Sequence, residues 1–68
     1  MNERQLRYLE TIAEQGSIQK ASSLLKRDAS TLNRVVRSVG EELGVTLFRR
    51  SHSGVVPTPE GEVVLPFG

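Results

Sequence analysis

Apolar residues recur every three or four positions in the first part of the chain, which is the spacing of one face of an α-helix. The inward positions of two successive helices are Leu6, Leu9, Ile12, Ala13, Ile18, Ala21, Leu24 and Leu25. Gly16 stands where helices commonly end, and the hydroxyl of Ser17 is suited to cap the next helix. The pattern therefore predicts two helices that meet at a tight turn.

A third helix is predicted over about residues 28–43, with Asp28 as its N-cap and Gly44 just past its end. Its apolar positions form a stripe about 60° wide at about 100° per residue. The outward positions are Ser30, Arg34, Arg37 and Glu41. The three helices together predict one core made of Leu9, Ile12, Ala21, Leu25, Leu32, Val36, Val39 and Leu43. Gly40 is unexpected here, since glycine inside a helix costs on the order of 1 kcal/mol relative to alanine.

The pattern changes after Gly44. The segment VTLFRR is suited to a strand, SHSG is typical of a turn, and VVPT is suited to return as a second strand. Thr58 and Pro59 then open a fourth helix, as its N-cap and its first helical residue. Pro66 and Gly68 are expected to end that helix unless the chain continues. We expect a mainly α winged helix-turn-helix fold, with a three-helix core, a short β-hairpin wing and the start of a fourth helix.

The distribution of charge is more informative than the net charge of +1. Between residues 20 and 37, five basic residues stand against a single acid, Asp28. The basic residues are Lys20, Lys26, Arg27, Arg34 and Arg37. A local basic face suggests a polyanion as partner, although a solvated helix surface would have the same composition.

The remaining composition excludes several classes of protein. Hydrophobic residues make up 37% of the chain and charged residues 25%, which is typical of a globular domain and not of a disordered one. The chain has no cysteine, which removes disulfides and thiolate metal sites and favours a cytoplasmic location. The longest apolar run, residues 63–65, is too short to span a bilayer, so no membrane association is expected.

The third helix begins with small side chains at the end that would lead into a DNA groove. Residues 29–31 would let the helix backbone approach the bases closely, and a helix N-terminus favours a phosphate. Ser30 and Asn33 are able to hydrogen-bond base edges, while Arg34 and Arg37 suit guanine or phosphate. The alternative interpretation is that the polar residues only cap the helix and the arginines are solvated.

Three stretches of the chain carry a family resemblance: QLRYLETIAEQGSIQKAS, TLNRVVRSVGEELGVTLFRR and TPEG. The most specific part is EELGVTLF, followed two residues after Phe48 by an arginine and then by TPEG. In these features the chain resembles the N-terminal DNA-binding domain of the LysR-type transcriptional regulators of bacteria. The resemblance implies binding to a double-stranded DNA operator without a cofactor. It places the recognition helix in the major groove and the wing, about residues 49–56, on the adjacent minor groove or phosphates.

The resemblance also indicates DNA-contacting positions. Arg34 matches the arginine of the family's recognition helix, and Arg50 matches that of its wing. The full set of predicted DNA-binding residues is Lys26, Arg27, Ala29, Ser30, Thr31, Asn33, Arg34, Arg37, Arg50, Ser51 and His52. The chain departs from the family pattern where Ala29 replaces a glutamine, Arg27 an apolar residue and Asp28 a capping serine.

A longer regulator is a further implication of the resemblance. In such proteins the fourth helix is a dimerising linker, and a C-terminal domain, absent from this chain, binds a small effector. We therefore assign residues 1–57 to the winged helix-turn-helix domain and residues 58–68 to the start of a truncated linker helix. We expect a homodimer or tetramer for a full-length protein, and mainly a monomer for this 68-residue chain. Either the chain is a fragment or the natural protein is short.

An enzyme and a protein-interaction module are the two rival classes. The only histidine, His52, lies between two serines in a predicted turn, which does not supply the fixed geometry of a catalytic triad. No catalytic or metal-binding motif is present, so we expect neither catalytic nor metal-binding residues. A winged helix-turn-helix also suits a protein-interaction module, or a short adaptor without operator specificity. Leu65 and Phe67 would then lie in an exposed interface.

Overall fold

The computed structural model describes residues 1–65 and contains every helix and strand that the pattern predicts. The elements are α1 (Glu3–Gln15), α2 (Ile18–Leu25), α3 (Ala29–Leu43), β1 (Phe48–Ser51), β2 (Gly54–Pro57) and α4 (Pro59–Val64). The predicted mainly α winged helix-turn-helix fold is confirmed. The helix stop at Pro66 and Gly68 and the interface role of Phe67 lie outside the described residues. Within the described part, no helix is both long and apolar enough to cross a membrane.

Local side-chain chemistry sets the ends of the helices. α1 begins with a capping box, in which the side-chain oxygens of Asn2 and Gln5 each accept a hydrogen bond from the other's backbone N–H, at 2.8 and 3.0 Å. The predicted cap at Ser17 is confirmed, since its hydroxyl oxygen accepts from a backbone N–H in the first turn of α2 at 3.2 Å. Gly16 and Gly44 end α1 and α3 in the left-handed conformation, as predicted.

The core consists of two clusters that share their neighbours. The first contains Tyr8, Ile12, Ala21 and Leu32. The second contains Leu9, Val39, Leu47 and Leu65. Val36 and Phe48 pack against both clusters and so join them into the single core that was predicted. The predicted core residues Leu9, Ile12, Ala21, Leu32 and Val39 are buried, and Leu25 and Val36 are half-buried at its edge.

The part of the core near the C-terminal end of α3 differs from the prediction. Leu43, predicted to lie inside, is 40% exposed, so that prediction is wrong. Leu65, which the protein-interaction alternative would place in an exposed interface, is only 2% exposed. The two positions have one physical reason. Leu47 and Leu65 return from later in the chain to pack with Val39, so the core beyond the middle of α3 is already filled. Leu43 is therefore left at the rim.

Leu24 is a further correction, because it was predicted to face inward and is 62% exposed. At about 100° per residue, Ile18, Ala21 and Leu25 fall within a stripe about 60° wide. Leu24 lies about 100° away from Leu25 around the helix axis. A helix of 8 residues buries only this narrow stripe, so its neighbour on the adjacent face points to solvent.

The glycine inside α3 permits a close approach by the chain that follows the helix. A Cβ atom at Gly40 would lie 2.8 Å from the carbonyl oxygen of Val45, which is closer than real side chains allow. The N–H of Val45 also donates to the carbonyl oxygen of Gly40 at 3.0 Å. The low helix propensity of Gly40 is thus offset by a tight turn that directs the chain toward β1.

The hairpin and α4 are tied to the chain on either side of them. β1 and β2 pair antiparallel, with Phe48 opposite Pro57 and Ser51 opposite Gly54. Thr58, just beyond β2, is confirmed as the N-cap of α4, since its hydroxyl oxygen accepts from a backbone N–H of the first turn at 2.9 Å. Its own N–H donates to the carbonyl oxygen of Leu47 at 2.9 Å. These bonds hold the start of α4 against the segment that leads into β1.

Candidate nucleic-acid interface

α3 presents a polar face to solvent because its apolar residues lie on the opposite side. Leu32 and Val39 are fully buried, whereas Asn33, Arg34 and Arg37 are exposed. A helix of 15 residues is about 22 Å long, which is enough to lie along a major groove. The outward face predicted from helical spacing is therefore present.

The first turn of α3 contains one disagreement with the prediction. Asp28 occupies the N-cap position, but its side chain makes no capping hydrogen bond. In the first turn, the N–H groups of Thr31 and Leu32 donate to the carbonyl oxygen of Asp28, at 3.0 and 3.3 Å. The carboxylate of Asp28 stays exposed, because its backbone takes the cap position while its side chain extends into solvent. Ser30 is also exposed, whereas Ala29 and Thr31 are half-buried.

A shallow groove runs between the outward face of α3 and the first strand of the hairpin. It has a volume of about 610 Å³, and its lining residues are Ser30, Asn33, Arg34, Val36, Arg37 and Arg50. We call it the α3–wing groove. Arg50 lines it and Arg49 does not, since successive residues of a strand point to opposite faces. The fold thus brings together three guanidinium groups and two hydrogen-bonding side chains from residues that lie up to twenty positions apart.

The hairpin is anchored to the turn between α1 and α2. The N–H of Val55 donates to the carbonyl oxygen of Gly16 at 3.0 Å. Gly54 has a φ of +150°, and a Cβ atom there would overlap that same carbonyl oxygen. Val55 pairs with Arg50 across the hairpin. The contact with Gly16 therefore sets where Arg50 lies relative to the helices.

The remaining predicted site residues lie at the two flanks of this groove. Lys26 ends α2 with a φ of +56°, a left-handed conformation that is uncommon for a residue with a side chain. Arg27 is exposed, and its Nε donates to the hydroxyl oxygen of Tyr8 at 3.0 Å. Ser51 is half-buried at the end of β1, and His52 is exposed in the turn of the hairpin.

The arginines of the α3–wing groove are not neutralised by neighbouring carboxylates. Among residues 1–65, the single ion pair joins the N-terminal ammonium group of Met1 to Glu42 at 3.0 Å. Arg34, Arg37 and Arg50 therefore present their charge and their donors outward. In the same range, no group of three or more acidic or histidine side chains lies close enough together to hold a metal ion.

Comparison with known proteins identifies the family of this fold. Residues 3–62 match the family described as bacterial regulatory helix-turn-helix protein, lysR family. This chain belongs to the LysR family. The match takes in all three helices of the core, the hairpin and most of α4, so the α3–wing groove is a feature of a LysR-family domain.

Individual relatives agree with this assignment. The LysR-family chain is 38% identical over 65 residues to the HTH-type transcriptional regulator ClcR of Pseudomonas putida, and the alignment covers 96% of this chain and 22% of ClcR. Its structure is similar to the CbnR DBD–DNA complex, with a TM-score of 0.87 and 34% identity over 96% of this chain and 75% of that one. It is also similar to the BenM DBD/catB site 1 DNA complex, with a TM-score of 0.85 and 36% identity over 93% and 68%. The chain spans about a fifth of the length of the curated relatives it matches.

Sequence reasoning found the residues on the face of α3 but missed those that position the wing. Helical spacing alone puts Arg34 and Arg37 opposite the buried stripe. Gly54 carried a signal, since a glycine after a turn often marks an unusual φ or a close contact. Its partner Gly16 was interpreted only as a helix end. Nothing in the sequence indicates that the hydroxyl of Tyr8 meets Arg27, 19 positions away.

Proposed function

We propose that this LysR-family chain binds double-stranded DNA sequence-specifically, with α3 in the major groove and the wing on the adjacent minor groove or phosphates. The observation that carries the proposal is the α3–wing groove. Arg34, Arg37 and Arg50 line it with Ser30 and Asn33, and the described residues place no carboxylate in an ion pair with these arginines. A surface that offers guanidinium forks and small hydrogen-bonding groups suits a polyanion whose base edges carry donors and acceptors.

The small first turn of α3 supports this orientation. Ala29 and Thr31 are half-buried, so the exposed side chains at the leading end of the helix are those of Ser30 and the cap residue Asp28. Both side chains are short enough for the backbone to approach the bases. We propose that Ser30, Asn33 and Arg34 read base edges, and that the other predicted residues contact phosphate or sugar. These other residues are Lys26, Arg27, Ala29, Thr31, Arg37, Arg50, Ser51 and His52.

The activity of a whole regulator is a broader proposal, because this chain spans only about a fifth of its curated relatives. We propose that residues 58–68 begin a dimerising linker helix. We further propose that a full-length protein is a homodimer or tetramer in which another domain binds a small effector. Since the relatives are named as transcriptional regulators, we propose a cytoplasmic protein without catalytic activity.

A comparison of Arg34→Ala with Arg50→Ala tests the proposed reading of DNA. Base contacts specify and phosphate contacts position. Arg34→Ala should make the free energy of binding to the cognate site less favourable by about 1–3 kcal/mol. It should thereby reduce the difference in affinity between cognate and random DNA. Arg50→Ala should weaken both DNAs evenly and reduce the dependence of log affinity on log salt by roughly one. Both variants would be titrated with both duplexes at several salt concentrations. If Arg34→Ala weakens both DNAs equally, this arginine is a phosphate contact and the proposed assignment of base reading to it is wrong.

The protein-interaction alternative predicts the opposite salt behaviour. An apolar interface depends little on salt, whereas DNA binding weakens steeply as salt rises. Leu65, one of the two residues on which that alternative relied, is buried in the core. If the chain binds no DNA even at low salt, the DNA-binding proposal is refuted.

A further inference from the structure

A second basic groove lies on the other side of the turn that leads into α3. It is lined by Glu3, Arg4, Arg7, Tyr8, Leu25 and Arg27, and its volume is about 330 Å³. We call it the α1–turn groove. Arg4 and Arg7 are three positions apart on α1 and so share one face of that helix, while Arg27 comes from the turn after α2. Three guanidinium groups thus converge from two separate parts of the chain.

One of these arginines is held in place by the core. Tyr8 is only 7% exposed and packs with Ile12, Ala21 and Leu32. Its hydroxyl oxygen accepts a hydrogen bond from Nε of Arg27 at 3.0 Å. That bond uses one donor of the guanidinium and leaves its terminal nitrogens free to bind a ligand. The hydroxyl of Tyr8 also keeps its own proton as a donor.

The charges and donors of the α1–turn groove favour an anion. Three guanidinium groups face a single carboxylate, Glu3, and the described residues form no ion pair within the groove. The polar groups along its wall are donors, apart from that carboxylate and the acceptor side of the Tyr8 hydroxyl. Planar guanidinium forks match the oxygens of phosphate, which can accept from several donors at once.

We infer that the α1–turn groove binds a backbone phosphate of DNA beside the segment that α3 reads, an inference that rests on the proposed function. Only Asp28 stands between Arg27 and the first residue of α3. A duplex that receives the leading end of α3 in its major groove brings its backbone phosphates alongside that end. The α3–wing groove and the α1–turn groove therefore contact the duplex on the two sides of α3. Tyr8 is a positioning residue, because it acts on the phosphate chiefly through Arg27.

The test uses the 68-residue chain and two forms of one duplex, whose binding site is first selected from random-sequence DNA. In one form the phosphates just outside the site are natural, and in the other they are neutral methylphosphonates. Neutralisation should lower the affinity of the unaltered chain by about 3- to 10-fold. It should lower that of Arg27→Ala clearly less, because the contact from Arg27 is already lost and only those from Arg4 and Arg7 remain. Arg49→Ala is the matched control. It removes the same charge from an exposed residue outside the groove, so it should respond to neutralisation like the unaltered chain.

Two milder variants separate positioning from charge and from failure to fold. Tyr8→Phe keeps the ring in the core, and Arg27→Lys keeps the charge. Each should lower affinity for natural DNA by about 2- to 5-fold while the salt dependence stays the same, since no charge is removed. Thermal melts of the variants would confirm that the domain is folded.

Three results would overturn the inference. If Arg27→Ala responds to neutral phosphates as strongly as Arg49→Ala does, the α1–turn groove does not bind the backbone. If inorganic phosphate shifts the NMR signal of the Arg27 side chain but Arg27→Ala binds DNA normally, the groove binds free phosphate only. If the unaltered chain binds no DNA, the proposed function fails as well, which distinguishes that outcome from the other two.

Discussion

Substitution of Gly54 by alanine should weaken the attachment of the wing to the helices. Gly54 has a φ of +150°, which residues with side chains rarely adopt, and the added Cβ atom would overlap the carbonyl oxygen of Gly16. A backbone conformation of this kind costs about 1–3 kcal/mol for a residue other than glycine. Loss of the 3.0 Å bond between Val55 and Gly16 adds about 1 kcal/mol. The variant should therefore lose about 2–4 kcal/mol of stability, a large part of the total for a domain of this size.

Gly44→Ala is the matched control for that substitution. Gly44 also has a positive φ, of +73°, but no atom from a more distant part of the chain lies within 4 Å of the position where its Cβ would be placed. It should show only the backbone cost, about 1–2 kcal/mol. Urea denaturation would measure the free energy of unfolding of both variants. DNA titration would test whether Gly54→Ala also loses the contribution of Arg50 to DNA affinity. If Gly54→Ala is no more destabilising than Gly44→Ala, the contact with Gly16 does not hold the wing.

The remaining predictions concern the core and the state of association. Leu32→Ala should destabilise the domain by about 2–5 kcal/mol, because Leu32 is fully buried, whereas Leu24→Ala should change stability by less than about 0.5 kcal/mol. Equal thermal shifts for the two variants would contradict the burial described for them. The 68-residue chain should sediment mainly as a monomer at micromolar concentration, since the 6 residues of α4 are too few to bury a standard interface. A stable dimer by ultracentrifugation would show that other surfaces associate.

Local signals explain which parts of the fold were predictable. Ser17 and Thr58 act on backbone three positions away, so the sequence around each cap contains both partners. The buried stripe of α3 follows in the same way from the helical period. Leu43 was misplaced because its expected space is occupied by Leu47 and Leu65, which come from later in the chain. No pattern within α3 contains that information.

The candidate site shows the same difference between local signals, which were predictable, and long-range contacts, which were not. The outward face of α3 depends on one helix and was predicted, whereas the position of Arg50 depends on a contact between Val55 and Gly16, 39 positions apart in the chain. Asp28 is the opposite case, in which a local signal favours a contact that the structure does not contain. Its residue type and position favour a capping bond, yet the structure leaves its carboxylate unbonded. The N–H of Thr31, which that carboxylate would bond, donates instead to the backbone carbonyl oxygen of Asp28.

The salt dependence of the unaltered chain measures how many phosphates this nearly neutral domain engages. Its net charge is only +1, so affinity for DNA has to come from local contacts and not from the overall field. Each phosphate neutralised contributes a slope of about −0.9 to log affinity against log salt. If the three arginines of the α3–wing groove act alone, the slope should be no steeper than about −3, and shallower if Arg34 binds a base. If the α1–turn groove also binds one backbone phosphate, that contact extends the limit to about −4. If the measured slope lies between these two limits and becomes shallower in Arg27→Ala, both grooves bind the same duplex. A slope near zero would refute DNA binding by either groove.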